Sequence, residues 1–159
     1  MKRNRLPAGW WRDPVAWLAC GLGSGASPWA PGTAGTLAAL PLWLALRPVP
    51  LAGYLAVVAL MFAAGVWICG RTARRFGSHD PSGIVWDEVV GVLLALAAAP
   101  PGWPWAVAGV VLFRIFDIAK PWPVSWADRR VGGGLGIMLD DLVAGALALG
   151  LLQAAHLSF

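Results

Sequence analysis

Charged side chains are scarce in this sequence, and their scarcity argues against a soluble domain. Asp, Glu, Lys and Arg make up 13% of the 159 residues and 58% are hydrophobic, whereas an ordinary soluble domain has about 25% charged residues. Residues 48–70 carry no charge and reach the roughly 20 residues that a membrane-spanning helix needs. Residues 142–159 are nearly as long a run. We interpret the chain as an integral membrane protein; the alternative for the first run is a buried core helix.

Cysteine is also scarce, and clustered positive charge and repeats are lacking. Cys20 and Cys69 stand alone, with no C-x-x-C and no histidine at ligand spacing, so neither a disulfide nor a zinc site is indicated. The net charge of +4 comes from scattered basic residues, which excludes nucleic acid as an expected partner and favours an anionic lipid surface. No repeat or linker divides the chain, so we expect one domain over residues 1–159, with residues 1–14 as a basic N-terminal tail. The sequence indicates no oligomeric state.

Apolar segments between turn signals predict the helices. We place five of them, at residues 34–46, 51–70, 84–99, 105–118 and 137–157. The third and fourth are separated by Pro100-Pro101-Gly102-Trp103-Pro104, because consecutive prolines interrupt a helix and favour a tight hairpin. The predicted fold is an all-α polytopic membrane bundle of about five membrane-embedded helices.

The distribution of basic residues predicts the orientation of this bundle. Cytoplasmic loops of membrane proteins carry an excess of Lys and Arg. With a cytoplasmic N-terminus, only Arg47 lies outside and Arg114 lies within a helix. The basic residues on the cytoplasmic side are then Lys2, Arg3, Arg5, Arg12, Arg71, Arg74, Arg75, Lys120, Arg129 and Arg130.

The acidic residues lie where ionised groups are hard to accommodate. Six of the eight fall at predicted ends of apolar helices, namely Asp80, Asp87, Glu88, Asp117, Asp140 and Asp141. The predicted topology brings all six to one cytoplasmic face, and carboxylates bordering hydrocarbon are normally paired, metal-bound or functional. Carboxylate oxygens suit magnesium, so the pairs Asp87-Glu88 and Asp140-Asp141 are the predicted metal ligands. Helix N-capping is the alternative explanation for one acid of each pair.

Arg114, Asp117 and Lys120 are spaced i, i+3 and i+6, on one strip of the fourth predicted helix. One interpretation is a simple ion pair between Arg114 and Asp117. The other is that Asp117 joins the metal site while Arg114 and Lys120 bind phosphate oxygens. The two can hold in the free and substrate-bound states.

The glycine-rich segments at residues 21–28 and 31–36 supply backbone amides and the hydroxyls of Ser24 and Thr33, which suit an anion-binding loop. No lysine follows the glycines, so the segment is not a Walker A motif. His79, beside Asp80, is a candidate general acid, although a lone loop histidine is more often solvated.

Three stretches of these motifs resemble one family. They are GLGSGASPWAPGTAGTLAAL at residues 21–40, HDPSGIVWDEVVG at 79–91 and FRIFDIAKPWPVSWADRRVGGGLGIMLDDLVAG at 113–145. In order and spacing they resemble the phosphatidylglycerophosphatase A family of bacterial membrane lipid phosphatases. The resemblance implies magnesium-dependent hydrolysis of phosphatidylglycerol phosphate to phosphatidylglycerol and inorganic phosphate, in phospholipid biosynthesis, at the inner face of the bacterial cytoplasmic membrane.

Roles follow for the remaining polar residues. We expect magnesium-assisted attack of water on phosphorus, with positive side chains including Arg129 stabilising the transferring group. Asp80 or His79 would manage the proton, and Asp128 would orient Arg129. A covalent aspartyl-phosphate intermediate stays open as an alternative to direct water attack.

Other functions fit the sequence less well. It has no D-x-D-x-[TV] motif, no paired catalytic histidines and no cysteine followed by an arginine loop, which mark other membrane phosphatases. The acid spacing also differs from the D-G-x-x-A-R signature of lipid phosphotransferases. The alternative from another class is a small ion or metal transporter with a carboxylate-lined site, but a transport path needs acids near mid-membrane.

Overall fold

The structure, a computed structural model, describes residues 6–78 and 81–158. Within them every regular element is helical, and the predicted all-α fold is confirmed. The α-helices of the described residues are α1 (Pro14–Ala19), α2 (Pro31–Leu46), α3 (Leu51–Phe76), α4 (Trp86–Ala95), α5 (Trp103–Ala119), α6 (Val124–Arg130) and α7 (Gly133–Ser158). Two 3₁₀ segments, Trp10–Arg12 and Gly21–Ala26, flank α1.

Helices α4 and α7 form the centre of the bundle. α4 packs against α2, α3, α5 and α7, and α7 also contacts α3, α5 and α6. The side chains buried most completely between them include Leu93, Leu96, Phe113, Met138 and Leu152. This apolar core holds the first turn of α4 and the first half of α7 in fixed relative positions.

The C-terminal end of α4 is fixed by two side chains from other helices. The indole N–H of Trp43 on α2 donates to the carbonyl of Leu96 at 3.2 Å, and the hydroxyl of Tyr54 on α3 donates to the carbonyl of Leu93 at 2.6 Å. The last carbonyls of a helix have no intrahelical partner. These bonds therefore supply partners that the short helix lacks.

The observed bounds differ from the predicted ones for local reasons. α2 begins at Pro31 because proline fits the first turn of a helix. α3 continues to Phe76, where Gly77 adopts a left-handed conformation with φ 66° and ends it. α4 ends at Ala95, four residues before the predicted end, because the chain turns ahead of Pro100 and Pro101. The short helices α1 and α6 were not predicted.

Asp13 connects the N-terminal segment to the end of α3. Its carboxylate caps α1 by accepting from the amide of Val15 at 3.0 Å, contacts Arg71 at 3.3 Å and pairs with Arg75. Burial would raise the pKa of Asp13, but the hydrogen bonds from Val15 and Arg75 and the charge of Arg71 lower it below its ordinary value. The basic end of α3 is thus linked to the start of α1.

Two helices, α3 and α7, are long and apolar enough to cross a membrane. Each has 26 residues, and such a helix is roughly 39 Å long. Within the most apolar stretch of α3, only 22% is buried inside the protein. A core helix of a soluble protein would be mostly buried, so this exposed apolar surface favours contact with lipid.

Candidate active site

Three carboxylates from two helices meet between α4 and α7. Asp87 and Glu88 lie in the first turn of α4, and Asp141 lies in α7. Each offers one oxygen, and the three oxygens lie within 4.8 Å of one another. The thiol of Cys69 on α3 is near enough to experience all three charges. Carboxylates this close repel one another when ionised, and a cation held between them would relieve that repulsion.

Two glycines allow the helices that carry these carboxylates to approach closely. A Cβ at Gly91 on α4 would lie 2.9 Å from the carbonyl oxygen of Asp141, and a Cβ at Gly145 on α7 would collide with the carbonyl of Gly91. Any larger residue would push α4 and α7 apart. The distance between Glu88 and Asp141 therefore depends on glycine at both positions.

The three carboxylates fit a hard divalent cation. Glu88 Oε2 and Asp141 Oδ2 are buried and have no hydrogen-bond partner among the described residues. A buried charged oxygen without a partner is costly, and oxygen-only donors suit Mg²⁺. We call Asp87, Glu88 and Asp141 the carboxylate cluster.

An ion pair on α5 borders the carboxylate cluster. Arg114 Nη1 lies 2.6 Å from Asp117 Oδ2, and both side chains are largely buried. Asp117 interacts electrostatically with Glu88 and Asp141, and Arg114 interacts with Glu88. Of the two interpretations of the spacing, the ion pair is the arrangement in this structure, and it is adjacent to the proposed ligands.

The first turn of α2 also reaches the carboxylate cluster. A Cβ at Gly32 would lie 2.5 Å from Glu88 Oε1 and 3.1 Å from Arg114 Nη1. The amides in the first turn of a helix lack intrahelical acceptors, and this end of the helix favours anions. Gly32 therefore brings the backbone at the start of α2 beside the cluster and Arg114. The sequence predicts these glycines in an anion-binding loop, whereas Gly32 lies in the first turn of α2, and the sequence does not predict its contact with Glu88.

Lys120, Asp128 and Asp140 form a separate ion-pair network. Lys120 Nζ lies 2.8 Å from Asp140 Oδ2 and also pairs with Asp128 Oδ1. Burial would lower the pKa of Lys120, but its bonds to Asp128 and Asp140 raise it above the ordinary value. Asp140 lies outside the carboxylate cluster, so its role as a metal ligand stays a prediction. The same holds for the phosphate role of Lys120 and the orienting role of Asp128.

Of the other predicted residues, Ser24, Thr33 and Arg129 have described positions. Ser24 Oγ donates to the carbonyl of Gly21 at 2.9 Å, Thr33 is exposed in the first turn of α2, and Arg129 is exposed in the last turn of α6. His79 and Asp80 lie outside the described residues. The roles proposed for these five residues stay predictions.

The comparison with known proteins assigns the family. The family model described as phosphatidylglycerophosphatase A matches residues 17–156. The chain belongs to the phosphatidylglycerophosphatase A family. A phosphatidylglycerophosphatase A of Escherichia coli (strain K12) is 49% identical over 141 residues, which cover 88% of this chain and 82% of the relative. The motif-based resemblance is confirmed, as is the predicted enzyme class, a phosphoric monoester hydrolase.

Two other relatives extend the comparison. A phosphatidylglycerophosphatase A of Haemophilus influenzae (strain ATCC 51907 / DSM 11121 / KW20 / Rd) is 43% identical over 141 residues, covering 86% of this chain and 85% of the relative. A Bacteroides thetaiotaomicron protein, described as a candidate phosphatidylinositol-3-phosphatase, is 42% identical over 147 residues, covering 87% of this chain and 91% of the relative. No solved structure matches the chain.

Proposed function

We propose that this protein hydrolyses phosphatidylglycerol phosphate to phosphatidylglycerol and inorganic phosphate, with magnesium bound by Asp87, Glu88 and Asp141. The observation that supports this most directly is that the three carboxylates meet within 4.8 Å beside the ion pair of Arg114 and Asp117. Cation ligands next to an arginine suit a phosphate ester. The names of two relatives support phosphatidylglycerol phosphate as the lipid, and we infer that the reaction belongs to phospholipid biosynthesis.

Each group around the carboxylate cluster has a proposed task. When bound, magnesium supplies a Lewis acid that withdraws charge from phosphoryl oxygens and promotes ionisation of a water. Arg114 exchanges part of its contact with Asp117 for the phosphoryl oxygens of the substrate, and its planar guanidinium suits two of them. The first-turn amides of α2 and the hydroxyl of Thr33 bind the same anionic group. Negative charge that develops on phosphate is thus met by fixed positive groups.

The proton steps are assigned to Asp117, which borders the carboxylate cluster, and to His79 or Asp80, which lie outside the described residues. Asp117 accepts a proton from the attacking water when Arg114 turns toward phosphate, and Asp80 or His79 protonates the leaving oxygen. Lys120 holds Asp140 and thereby fixes the turn of α7 that carries Asp141. Ser24 and Arg129 remain proposed contacts to phosphate.

We further propose a multi-pass protein in the bacterial cytoplasmic membrane, with the N-terminus and the active site at the cytoplasmic face. Asp141 lies 17 residues before Ser158 along α7, a distance of roughly 25 Å. The carboxylate cluster is therefore nearer the N-terminal end of α7, where Lys120 pairs with Asp140 and where Gly70, which precedes Arg71 on α3, packs against Gly134. An excess of positive charge is expected on the cytoplasmic side.

Five membrane-embedded helices, α2 to α5 and α7, are part of this proposal. α4 has 10 residues and is roughly 15 Å long, about half of a hydrocarbon layer of ~30 Å. Alone it does not span the layer. Because α4 is enclosed by four other helices, its polar first turn faces the bundle interior, where magnesium can be held away from lipid.

Phosphate release by purified protein in detergent tests the proposal. We expect release from phosphatidylglycerol phosphate that stops with a chelator and returns with magnesium. Asp87→Asn and Asp141→Asn should reduce kcat at least about 100-fold, as expected when a ligand of an essential metal is lost. Asp13→Asn, which removes a buried carboxylate outside the cluster, is the matched control and should retain kcat.

Three results would contradict the proposal. Release that is unaffected by a chelator would exclude a role for the metal. Near wild-type kcat in a folded Asp141→Asn variant would exclude Asp141 as a ligand of that metal. No release from any lipid phosphate would favour the transporter alternative. Phosphatidate, phosphatidylinositol 3-phosphate and a soluble phosphomonoester, assayed in parallel, determine which headgroup is preferred.

A further inference from the structure

An apolar groove runs along the outer face of α5 beside the proposed active site. It has a volume of about 430 Å³ and is lined by Val110, Val111, Arg114, Ile115, Ile118 and Ala119. From Val110 to Ala119 it follows nine residues of helix, roughly 14 Å at about 1.5 Å per residue. Arg114 is the charged residue among these lining residues, and the others are aliphatic.

Arg114 belongs both to the groove and to the active site. Its Nη1 atom lies 2.6 Å from Asp117 Oδ2, and a Cβ at Gly32 would lie 3.1 Å from the same atom. Arg114 lies midway along the groove, so at this point the groove borders the site that we assign to phosphate. On the outer side Ile115 is 52% exposed and Val111 is 48% exposed, so the groove is open to lipid.

We propose that this groove binds one acyl chain of the lipid substrate and thereby places its phosphate at Arg114. This inference rests on the proposed function. The occupant must have a long apolar part and an anionic end. The groove is aliphatic except for the guanidinium of Arg114, and that guanidinium is adjacent to the proposed cation site. A phospholipid that carries a terminal phosphate has both parts, whereas a soluble phosphomonoester has only the second.

The groove should affect the position of the substrate more than its affinity. Acyl chains in a membrane are already away from water, so moving one onto an aliphatic helix face adds little hydrophobic free energy. What the contact can supply is orientation of the phosphate relative to the carboxylate cluster. The effect should therefore be seen in kcat/KM for lipids with long chains.

Substitution with tryptophan tests the groove. Ile115→Trp and Val111→Trp would fill it, and Val107→Trp is the matched control, because Val107 is on the same helix, is 58% exposed and does not line the groove. The measurement is kcat/KM for dioleoyl phosphatidylglycerol phosphate divided by kcat/KM for its deacylated analogue. We expect this ratio to fall at least about fivefold in the two groove variants and to stay unchanged in the control. An unchanged ratio in both groove variants would overturn the inference.

Photo-crosslinking supplies a readout that does not depend on turnover. A phosphatidylglycerol phosphate that carries a diazirine on one acyl chain is irradiated with wild-type protein in detergent, and the adducts are mapped by mass spectrometry. We expect adducts concentrated at residues 110–119 and few at Leu60, an exposed apolar residue on α3. Adducts spread evenly over exposed apolar residues would overturn the groove assignment. Failure of the proposed function is distinct, because wild-type protein would then release no phosphate from either substrate.

Discussion

Replacing Gly32 with alanine should separate activity from stability. The added Cβ would lie 2.5 Å from Glu88 Oε1, and ordinary van der Waals contact begins at 3.4 Å. Glu88 Oε1 would therefore have to move by about 0.9 Å, the difference between these two distances. The same Cβ lies 3.1 and 3.3 Å from the two terminal nitrogens of Arg114, so the guanidinium must shift by a few tenths of an ångström as well.

The displaced groups are flexible ends of side chains, so the fold should tolerate the substitution. Gly32 lies in the first turn of α2, and alanine is a better helix former than glycine, by at most about 1 kcal/mol. The melting temperature should stay the same or rise slightly. A misplacement of about 1 Å in a catalytic group can reduce the rate about 100-fold, so we expect kcat/KM to fall by about 10- to 100-fold.

The assay is magnesium-dependent phosphate release from phosphatidylglycerol phosphate, together with thermal unfolding in the same detergent. Gly150→Ala is the control, because a Cβ at that position on α7 has no atom within 4 Å. It should leave both the rate and the melting temperature near wild type. Full activity of a folded Gly32→Ala variant would refute the reasoning, since it would mean that Gly32 does not border the reacting groups.

Three further predictions concern stability. The pKa of folded Asp13 lies below its unfolded value of about 3.9, so its stabilisation is present above that pH and is lost as pH falls through the folded pKa. The melting temperature of wild type should fall more steeply below pH 4 than that of Asp13→Asn; parallel curves would contradict this. Lys120→Met removes the partner of buried Asp140 and should reduce the unfolding free energy by about 1–3 kcal/mol, with Lys120→Arg milder; equal stability of Lys120→Met and wild type would contradict it. Tyr54→Phe removes the bond to Leu93 and should cost about 1 kcal/mol in denaturant unfolding, with kcat retained; no change would mean that the bond does not hold α4.

Long apolar segments of the sequence were enough to predict the long helices. Charge-free runs and proline positions located α2, α3, α5 and α7, because these signals extend over many residues. The 6 residues of α1 and 7 residues of α6 are too few for a periodic signal. Asp13-Pro14, an N-cap residue before a helix-starting proline, was the available signal for α1.

The pairs of acids were predicted as a group, but their individual positions depend on packing. Neighbours on a helix point about 100° apart, which leaves open whether Asp140 or Asp141 faces α4. α7 approaches α4 where Gly145 meets Gly91. Asp141 is four residues before Gly145 and lies on the same face of α7, so Asp141 is the acid that faces α4. Asp87 and Glu88 are also neighbours, yet an oxygen of each lies within 4.8 Å of an oxygen of Asp141. The angle of about 100° between neighbouring side chains does not predict this.

The i, i+3, i+6 spacing predicts that Lys120 continues the strip of Arg114 and Asp117 at the boundary of the fourth predicted helix. In the structure Lys120 is the residue after the helix, with a left-handed φ of 44°. That conformation is uncommon for a residue with a side chain, and it accompanies the ion pairs with Asp140 and Asp128. A short sequence pattern does not predict the conformation, because it depends on how α6 and α7 pack beyond Pro121.

Binding of manganese, measured by electron paramagnetic resonance, tests the central claim most directly. Mn²⁺ accepts the same carboxylate ligands as Mg²⁺, and its free and bound forms can be counted without turnover. We expect a saturable site in the wild-type protein that is lost in folded Glu88→Gln and Asp141→Asn variants and kept in Asp13→Asn. Equal manganese binding by wild type and the two cluster variants would contradict it.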